Sequence, residues 1–258
     1  MKSLRQVTLT ALTGLPDICP GDDLATLIAE AAARCGLALA SGDVVVVAQK
    51  IVSKAEGRLV RLADVEPTPA AIDLAHRSGK DPRLAELILR ESREVLRTRP
   101  GLIIVEHRLG FVCANAGIDH SNVGPGNEDD GMVLLLPEDP DASAERIRDG
   151  LRVLTGADVA VLVIDSHGRA WRLGAVGVAI GVAGLVPLTD LRGRSDRYGR
   201  QLRVTQVGTA DELAAAASLL MGQADEGTPV VVVRGATYQK GCGKIGDLLR
   251  PRELDLFR

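Results

Sequence analysis

Strand-length apolar runs and amphipathic helical stretches follow one another in this chain without a regular period, and that order is what most limits its fold. Val44-Val45-Val46-Val47, introduced by Gly42-Asp43, is a short strand of the buried type. Val7 to Leu12, Met132 to Leu136, Asp158 to Asp165 and Pro229 to Arg234 also read as strands, and Leu102 to Glu106 with Phe111 to Ile118 as a hairpin around Arg108-Leu109-Gly110. Helices are expected after Asp22 or Asp23, with Leu24, Leu27, Ile28 and Ala31 on one face, and after Thr68-Pro69 and Asp81-Pro82, where an N-cap precedes a first-turn proline. Another should begin at Asp141 or Ser143 and end at Gly156, and Thr209-Ala210-Asp211-Glu212 reads as a capping box. Regular βαβ repetition is missing, so the order predicts an α+β fold with mixed sheets.

Composition narrows the function classes. The chain has 258 residues, 46% of them hydrophobic and only 2% aromatic, so its core must be built from Val, Leu, Ile and Ala. A net charge of −3 and so few aromatic rings give neither an electrostatic footprint nor a stacking platform for nucleic acid. No signal-peptide pattern opens the chain. The longest uncharged apolar run, Leu173 to Leu188, is broken by glycines and shorter than the ~20 residues of a membrane span. Cys19, Cys35, Cys113 and Cys242 show no metal-site spacing, and Cys113 reads as a small core residue. The expectation is a cytoplasmic protein with no membrane and no nucleic-acid partner.

Two aspartates carry most of the chemical information. Asp119 closes the run from Phe111 to Ile118, with Asn115, His120, Ser121 and Asn122 nearby, and Asp165 closes the run from Val159 to Ile164, followed by Ser166-His167-Gly168-Arg169. Rigid strand ends often carry functional groups, and two carboxylates brought together from separate strands repel unless a cation lies between them. Hard divalent cations take such oxygens. Asp- and Asn-rich turns that bond their own backbone are the competing reading. Lys54 and Arg58 follow the valine strand in an expected turn with Ser53 and Gly57, a composition suited to phosphate or to a solvated surface turn. It is not a Walker A loop. The glycine run Gly174, Gly177, Gly181 and Gly184 reads as close packing of one strand or subunit on another, with approach to a ligand as the rival reading. The residues themselves name no substrate.

Taken together and in order, several stretches resemble the coenzyme F420-0:L-glutamate ligase (F420-0 gamma-glutamyl ligase) family. They are Gly14-Leu15-Pro16-Asp17-Ile18, Gly42-Asp43-Val44 through Gly57-Arg58, Ala114-Asn115-Ala116-Gly117-Ile118-Asp119 to Asn122, Leu136-Pro137-Glu138-Asp139-Pro140, Ile164-Asp165-Ser166-His167-Gly168-Arg169 and Met221-Gly222-Gln223. The resemblance runs from about Val7 to Gly235.

The resemblance implies an enzyme that adds L-glutamate to F420-0, and further gamma-linked glutamates after it, with GTP as co-substrate and an acyl-phosphate intermediate. It implies Mg2+ or Mn2+, with K+ as an additional candidate. It places Asp119, Asp165, Ser166 and Gln223 as metal ligands, with Asp119 and Asp165 central to catalysis. Leu15, Pro16, Asp17 and Ile18 would line the nucleotide, Gln49 and Lys54 approach its base or phosphates, and Asn122 touch it. The loop of Met221, Gly222, Gln223, Ala224, Asp225, Glu226, Gly227 and Thr228 would close over it. The family fold implies two interlocked subdomains and an intertwined homodimer, with residues 1–248 as the ligase domain and 249–258 as a C-terminal tail. Some relatives continue into a nitroreductase-like flavin domain, which is not expected here. A non-catalytic nucleotide-binding protein and a ligase with another acceptor are the alternatives.

Overall fold

The computed structural model describes residues 5–123 and 131–256; Met1 to Leu4 of the expected domain and Phe257-Arg258 of the expected tail lie outside the described residues. Among the described residues there are twelve strands and six α-helices. In chain order they are β1 (Thr8–Leu12), α1 (Leu24–Arg34), β2 (Val44–Ala48), α2 (Gln49–Ala55), β3 (Leu59–Arg61), α3 (Pro69–Ser78), α4 (Pro82–Arg90), β4 (Ser92–Arg99), β5 (Leu102–His107) and β6 (Val112–Ala114). The remainder are β7 (Met132–Leu134), α5 (Pro140–Thr155), β8 (Ala160–Arg169), β9 (Arg172–Ala183), β10 (Leu188–Asp190), β11 (Gln206–Gly208), α6 (Thr209–Met221) and β12 (Val230–Arg234). The α+β reading with several sheets holds, but among the described residues only the principal sheet is mixed and the other three are antiparallel.

The principal sheet has the order β1-β12-β2-β8-β9, and its pairs are antiparallel except for β2 with β8. Both faces are buried, which is why its central strands read as unbroken valine runs rather than alternating ones. Val45, Val47, Val161, Val163, Val230 and Val232 face a core shared with α1, α2 and α5. Val44, Val46, Leu162, Ile164, Val231 and Val233 face the opposite core, with α6. A third core belongs to α3, α4, the β4-β5-β6 sheet and the short β3-β7 pair, and Phe111 packs against both this core and that of α1.

Local signals were read correctly at three helix starts. Asp23, Thr68 and Asp81 each accept a backbone N–H as N-caps. Two other starts differ. Asp139 caps α5, one residue before Pro140, while Asp141 instead accepts the Val182 and Ile245 N–H groups. The Thr209 capping box does not form: Thr209 is already helical, and its hydroxyl pairs with that of Thr189 at 2.7 Å. The glycine run lies along the edge strand β9, with Gly184 just past its end. A Cβ on Gly177 would stand 2.7 Å from the Ala214 carbonyl oxygen of α6, and one on Gly181 would stand 2.3 Å from the Pro140 carbonyl oxygen of α5. These glycines let helices seat on both faces of one strand.

Candidate active site

The parallel register sets Ala48 of β2 beside Ile164 of β8, so Gln49 and Asp165 leave that level of the sheet side by side. The carboxyl ends of parallel strands are a common place for ligand-binding groups in open sheets. Asp165 does not end its strand. β8 continues to Arg169 and pairs with β9 as a long hairpin whose outer half is exposed. Ser166 therefore faces solvent, and His167 turns back so that Nε2 lies 3.1 Å from Asp165 Oδ2.

Asp119 reaches the same place by another route. Asn115, Ala116 and Gly117 all have positive φ, of 50°, 54° and 65°. For Ala116 that conformation costs about 1 kcal/mol. The turn is held by Asn115 Oδ1, which accepts the Ile103 N–H at 3.1 Å, and by Leu136, which leaves no room for a Cβ on Gly117. Asp119 then pairs with Leu134 through its own N–H and C=O at 3.0 and 2.9 Å. Its place is a bridge after a left-handed turn rather than the end of a strand.

The two ends of α2 divide the work. Gln49 is buried and donates Nε2 to Asp119 Oδ2 at 2.5 Å; Lys50 Nζ stands 3.5 Å from Asp119 Oδ1 and donates to Ser121 O at 3.1 Å. One turn on, half-buried Lys54 lies in the helix and not in a turn. Burial lowers its ammonium pKa, while the nearby Asp17 carboxylate opposes that and Lys50 adds to it. Arg58 points away, bonding Leu136 O at 2.9 Å and Glu91 at 3.0 Å.

The electrostatics mark the acid pair. Burial pushes the Asp119 carboxyl up to about 6, and the like charge of Asp165 adds to the rise against Lys50 and Gln49. Burial and the same Asp165 charge push the Cys113 thiol up to about 12. A hard-oxygen acid raised by a second acid beside it, with an ammonium and an amide N–H drawn toward it, fits a divalent cation site. Among the described residues no three His, Cys, Asp or Glu side chains gather. Any further ligands would come from neutral oxygens such as Ser166 and Gln223.

The other expected residues are only partly brought together. In the loop after β1, Leu15 packs on the core, Ile18 is buried, and Pro16 and Asp17 are exposed, Asp17 toward Lys54. Asn122 Nδ2 donates to Ala224 O at 2.9 Å and so ties the Asp119 segment to the Met221–Thr228 loop. Within that loop Glu226 accepts the Ala224 N–H, Thr228 Oγ1 donates to Leu220 O, and Gly222 has φ 70° with the Glu226 carboxylate filling the space a Cβ would need. Gln223, Asp225, Glu226 and Gly227 are exposed. Among the described residues neither Ser166 nor Gln223 is hydrogen-bonded to the aspartates. Gln49 meets Asp119, where the resemblance pointed it at nucleotide. Lys50 carries no sequence expectation; Ser53, expected beside phosphate with Lys54, instead bonds Gln49, and His167, expected only as part of the run after Asp165, meets that acid. The i, i+4 spacing of Gln49 and Ser53 directly after a buried strand was the available signal.

Residues 14–235 match the family model described as F420-0:Gamma-glutamyl ligase. The chain is 52% identical over 254 residues to the coenzyme F420:L-glutamate ligase of Methanothermobacter thermautotrophicus, covering 98% of this chain and 99% of that protein. It is 51% identical to the protein of the same name from Methanopyrus kandleri, over 93% and 92% of the two chains. For the one from Archaeoglobus fulgidus the figures are 44% identity over 98% and 97%.

Proposed function

This chain belongs to the F420-0:gamma-glutamyl ligase family, and from that premise we propose that it joins L-glutamate to coenzyme F420-0, and gamma-linked glutamate to the product, at the expense of GTP. The observation that carries the reading is the pair Asp119 and Asp165, partly buried together and, among the described residues, with no arginine ion pair to neutralise them.

In the proposed reaction a carboxylate oxygen of F420-0 attacks the γ-phosphorus of GTP. The bond to the β–γ bridging oxygen breaks, GDP leaves and an acyl phosphate remains. The amine of L-glutamate, after losing a proton, attacks the acyl carbon. Inorganic phosphate departs with the bonding electron pair, and a second amine proton is released as the amide forms. The protein's part is positioning and charge neutralisation. Asp119, Asp165, Ser166 and Gln223 would hold a divalent cation, Mg2+ or Mn2+, and monovalent K+ is an additional candidate cofactor. When bound, that cation supplies charge neutralisation at the phosphate oxygens. Lys54, supported by Asp17, places an ammonium where phosphates would lie if the loop from Leu15 to Ile18 carries the nucleotide. Asn122 holds the Met221–Thr228 loop against the acid-bearing segment, poised to cover it.

We extend the proposal to an intertwined homodimer. Trp171 and Leu173, at the tip of the β8-β9 hairpin, are 87% and 99% exposed, and Leu219 of α6 is 81% exposed. Large apolar groups in such positions suit a second copy of the chain. Sedimentation at micromolar concentration should show a dimer; an active monomer would remove this part.

No helix among the described residues is long and apolar enough to cross a membrane. The test of function is to incubate the protein with F420-0, L-glutamate, GTP and Mg2+ and to read product masses and GDP. A glutamyl-extended F420 with matching GDP is expected. GDP formed only with another acceptor would reassign the substrate, and nucleotide binding with no product would leave a binding protein.

A further inference from the structure

We propose that Gln49, braced by Ser53, is a positioning residue for Asp119 rather than a nucleotide contact, holding one carboxylate oxygen so that the other is presented to the cation. The inference rests on the reading of Asp119 as a cation ligand.

Gln49 and Ser53 are 1% and 0% exposed, so neither side chain lies on a surface a nucleotide can reach without rearrangement. Both sit on α2, four residues apart, where side chains stack on one helical face. The amide can face its two neighbours in only one sense. An ionised carboxylate accepts hydrogen bonds and donates none, so the NH2 end must face Asp119, as it does at 2.5 Å from Oδ2. The carbonyl end must then receive a donor, and the Ser53 hydroxyl supplies it at 2.9 Å from Oε1. A flipped amide would set its oxygen against the carboxylate and its NH2 against a hydroxyl already positioned to donate. The pair of bonds therefore locks the amide.

The consequence lies in which oxygen stays free. Gln49 occupies Oδ2 from inside the protein. Oδ1 faces the partly exposed ammonium of Lys50 at 3.5 Å, a longer contact shared with Ser121. Of the two partners on Asp119, the buried amide is built to stay and the ammonium is free to leave. Groups that orient a metal ligand from behind usually contribute strongly to affinity: their removal costs about 10–100-fold in metal binding.

The test is calorimetry of Mn2+ binding to wild type, Asp119→Asn, Gln49→Leu and Ser53→Ala, paired with GTP binding in EDTA and with melting temperatures. Gln49→Leu should weaken Mn2+ binding about tenfold. Ser53→Ala, which leaves the amide in place but free to turn, should weaken it by a smaller factor, about threefold. GTP affinity in EDTA should hold in both, and turnover should recover in part as Mn2+ is raised. Ser53→Ala keeps the question open to measurement if Gln49→Leu does not fold. Wild-type Mn2+ affinity in both variants, with Asp119→Asn defective, would overturn the positioning role alone. Loss of GTP affinity in EDTA with Mn2+ binding intact would return Gln49 to the nucleotide. Unchanged Mn2+ affinity in Asp119→Asn would remove the cation reading itself, and the inference with it.

Discussion

Glu91 and Asp119 are two carboxylates in opposite settings within one chain. Glu91, just beyond α4, is 11% exposed and receives Arg58 at 3.0 Å and Arg108 at 2.9 Å. The buried His107 also faces it; Nδ1 accepts the Leu109 N–H, so the ring proton sits on Nε2, 3.6 Å from the acid. Burial alone would raise the Glu91 carboxyl, but the His107 and Arg108 donors and the two guanidinium charges outweigh it and bring it down to about 2. Asp119 is 25% exposed, yet burial and a second acid raise it to about 6. Here surplus positive charge marks a joint and surplus negative charge marks the candidate site. Arg58 follows α2 and bonds Leu136 O, while Arg108 reaches Glu138 O from the β5-β6 turn. Glu91 thus clamps segments from both sides of the seam that Phe111 straddles.

The contrast breaks most visibly in activity. Asp119→Asn and Asp165→Asn should nearly abolish ligation in folded protein, a loss of about a thousandfold or more, since several kcal/mol of barrier are at stake at ~1.4 kcal/mol per tenfold. Steady-state turnover at saturating Mg2+ checks it, and near-normal rates in either variant would dissolve the distinction. Glu91→Gln should do the reverse, sparing the chemistry but lowering stability by about 3 kcal/mol, because two partly buried guanidiniums lose their counter-charge. Urea unfolding reads this. With a folded pKa of about 2, the stabilisation from Glu91 is full above its ordinary value of 4.5 and disappears as pH falls from there toward 2. The gap between variant and wild type should close over that window.

Asp119 carries the opposite sign. Its raised carboxyl favours the fold below the ordinary value of 3.8, and that advantage is lost as pH rises toward 6. In EDTA at pH 7.5, Asp119→Asn should therefore be more stable than wild type, by about 1–2 kcal/mol, with no gain at pH 3.5. A melting series across pH decides whether the acid is strained in this way. A modest effect is expected at Lys54. Lys54→Ala should weaken GTP binding by about tenfold, roughly one charge-assisted contact. Unchanged GTP affinity with a raised KM for glutamate would move Lys54 to the amino-acid site.

The valine strands and the N-caps at Asp23, Thr68 and Asp81 were legible because each rests on a local pattern, and Asp119 and Asp165 stood out as candidates in the same way. β4 was not, since its Ser-Arg-Glu-Val-Leu-Arg-Thr-Arg run has no fully buried residue and shows no clean alternation. Asp165 seemed to end a strand because the outer half of the β8-β9 hairpin has little core to cover, so polar residues and glycine are tolerated there. Lys54 seemed to lie in a turn because α2 is only seven residues long and ends against Gly57. The Ser53–Gln49–Asp119 chain was hidden for a different reason. Its last link spans 70 residues of sequence and depends on the left-handed turn before Asp119, which no spacing rule announces.

Strand β12 has a consequence for how the protein is made. It comes from the far end of the chain, yet it lies between β1 and β2, the first strands synthesised. At ~5–20 residues per second, on the order of ten seconds or more pass on the ribosome between β2 and β12. Through that interval β1 has no partner and one edge of β2 stays open, both presenting unpaired backbone groups that invite pairing with another chain. Release of a product truncated before Val230 would make that exposure permanent. The nascent chain is thus most vulnerable to aggregation until its last strand arrives, and slow elongation late in translation should reduce soluble yield more than slow elongation early.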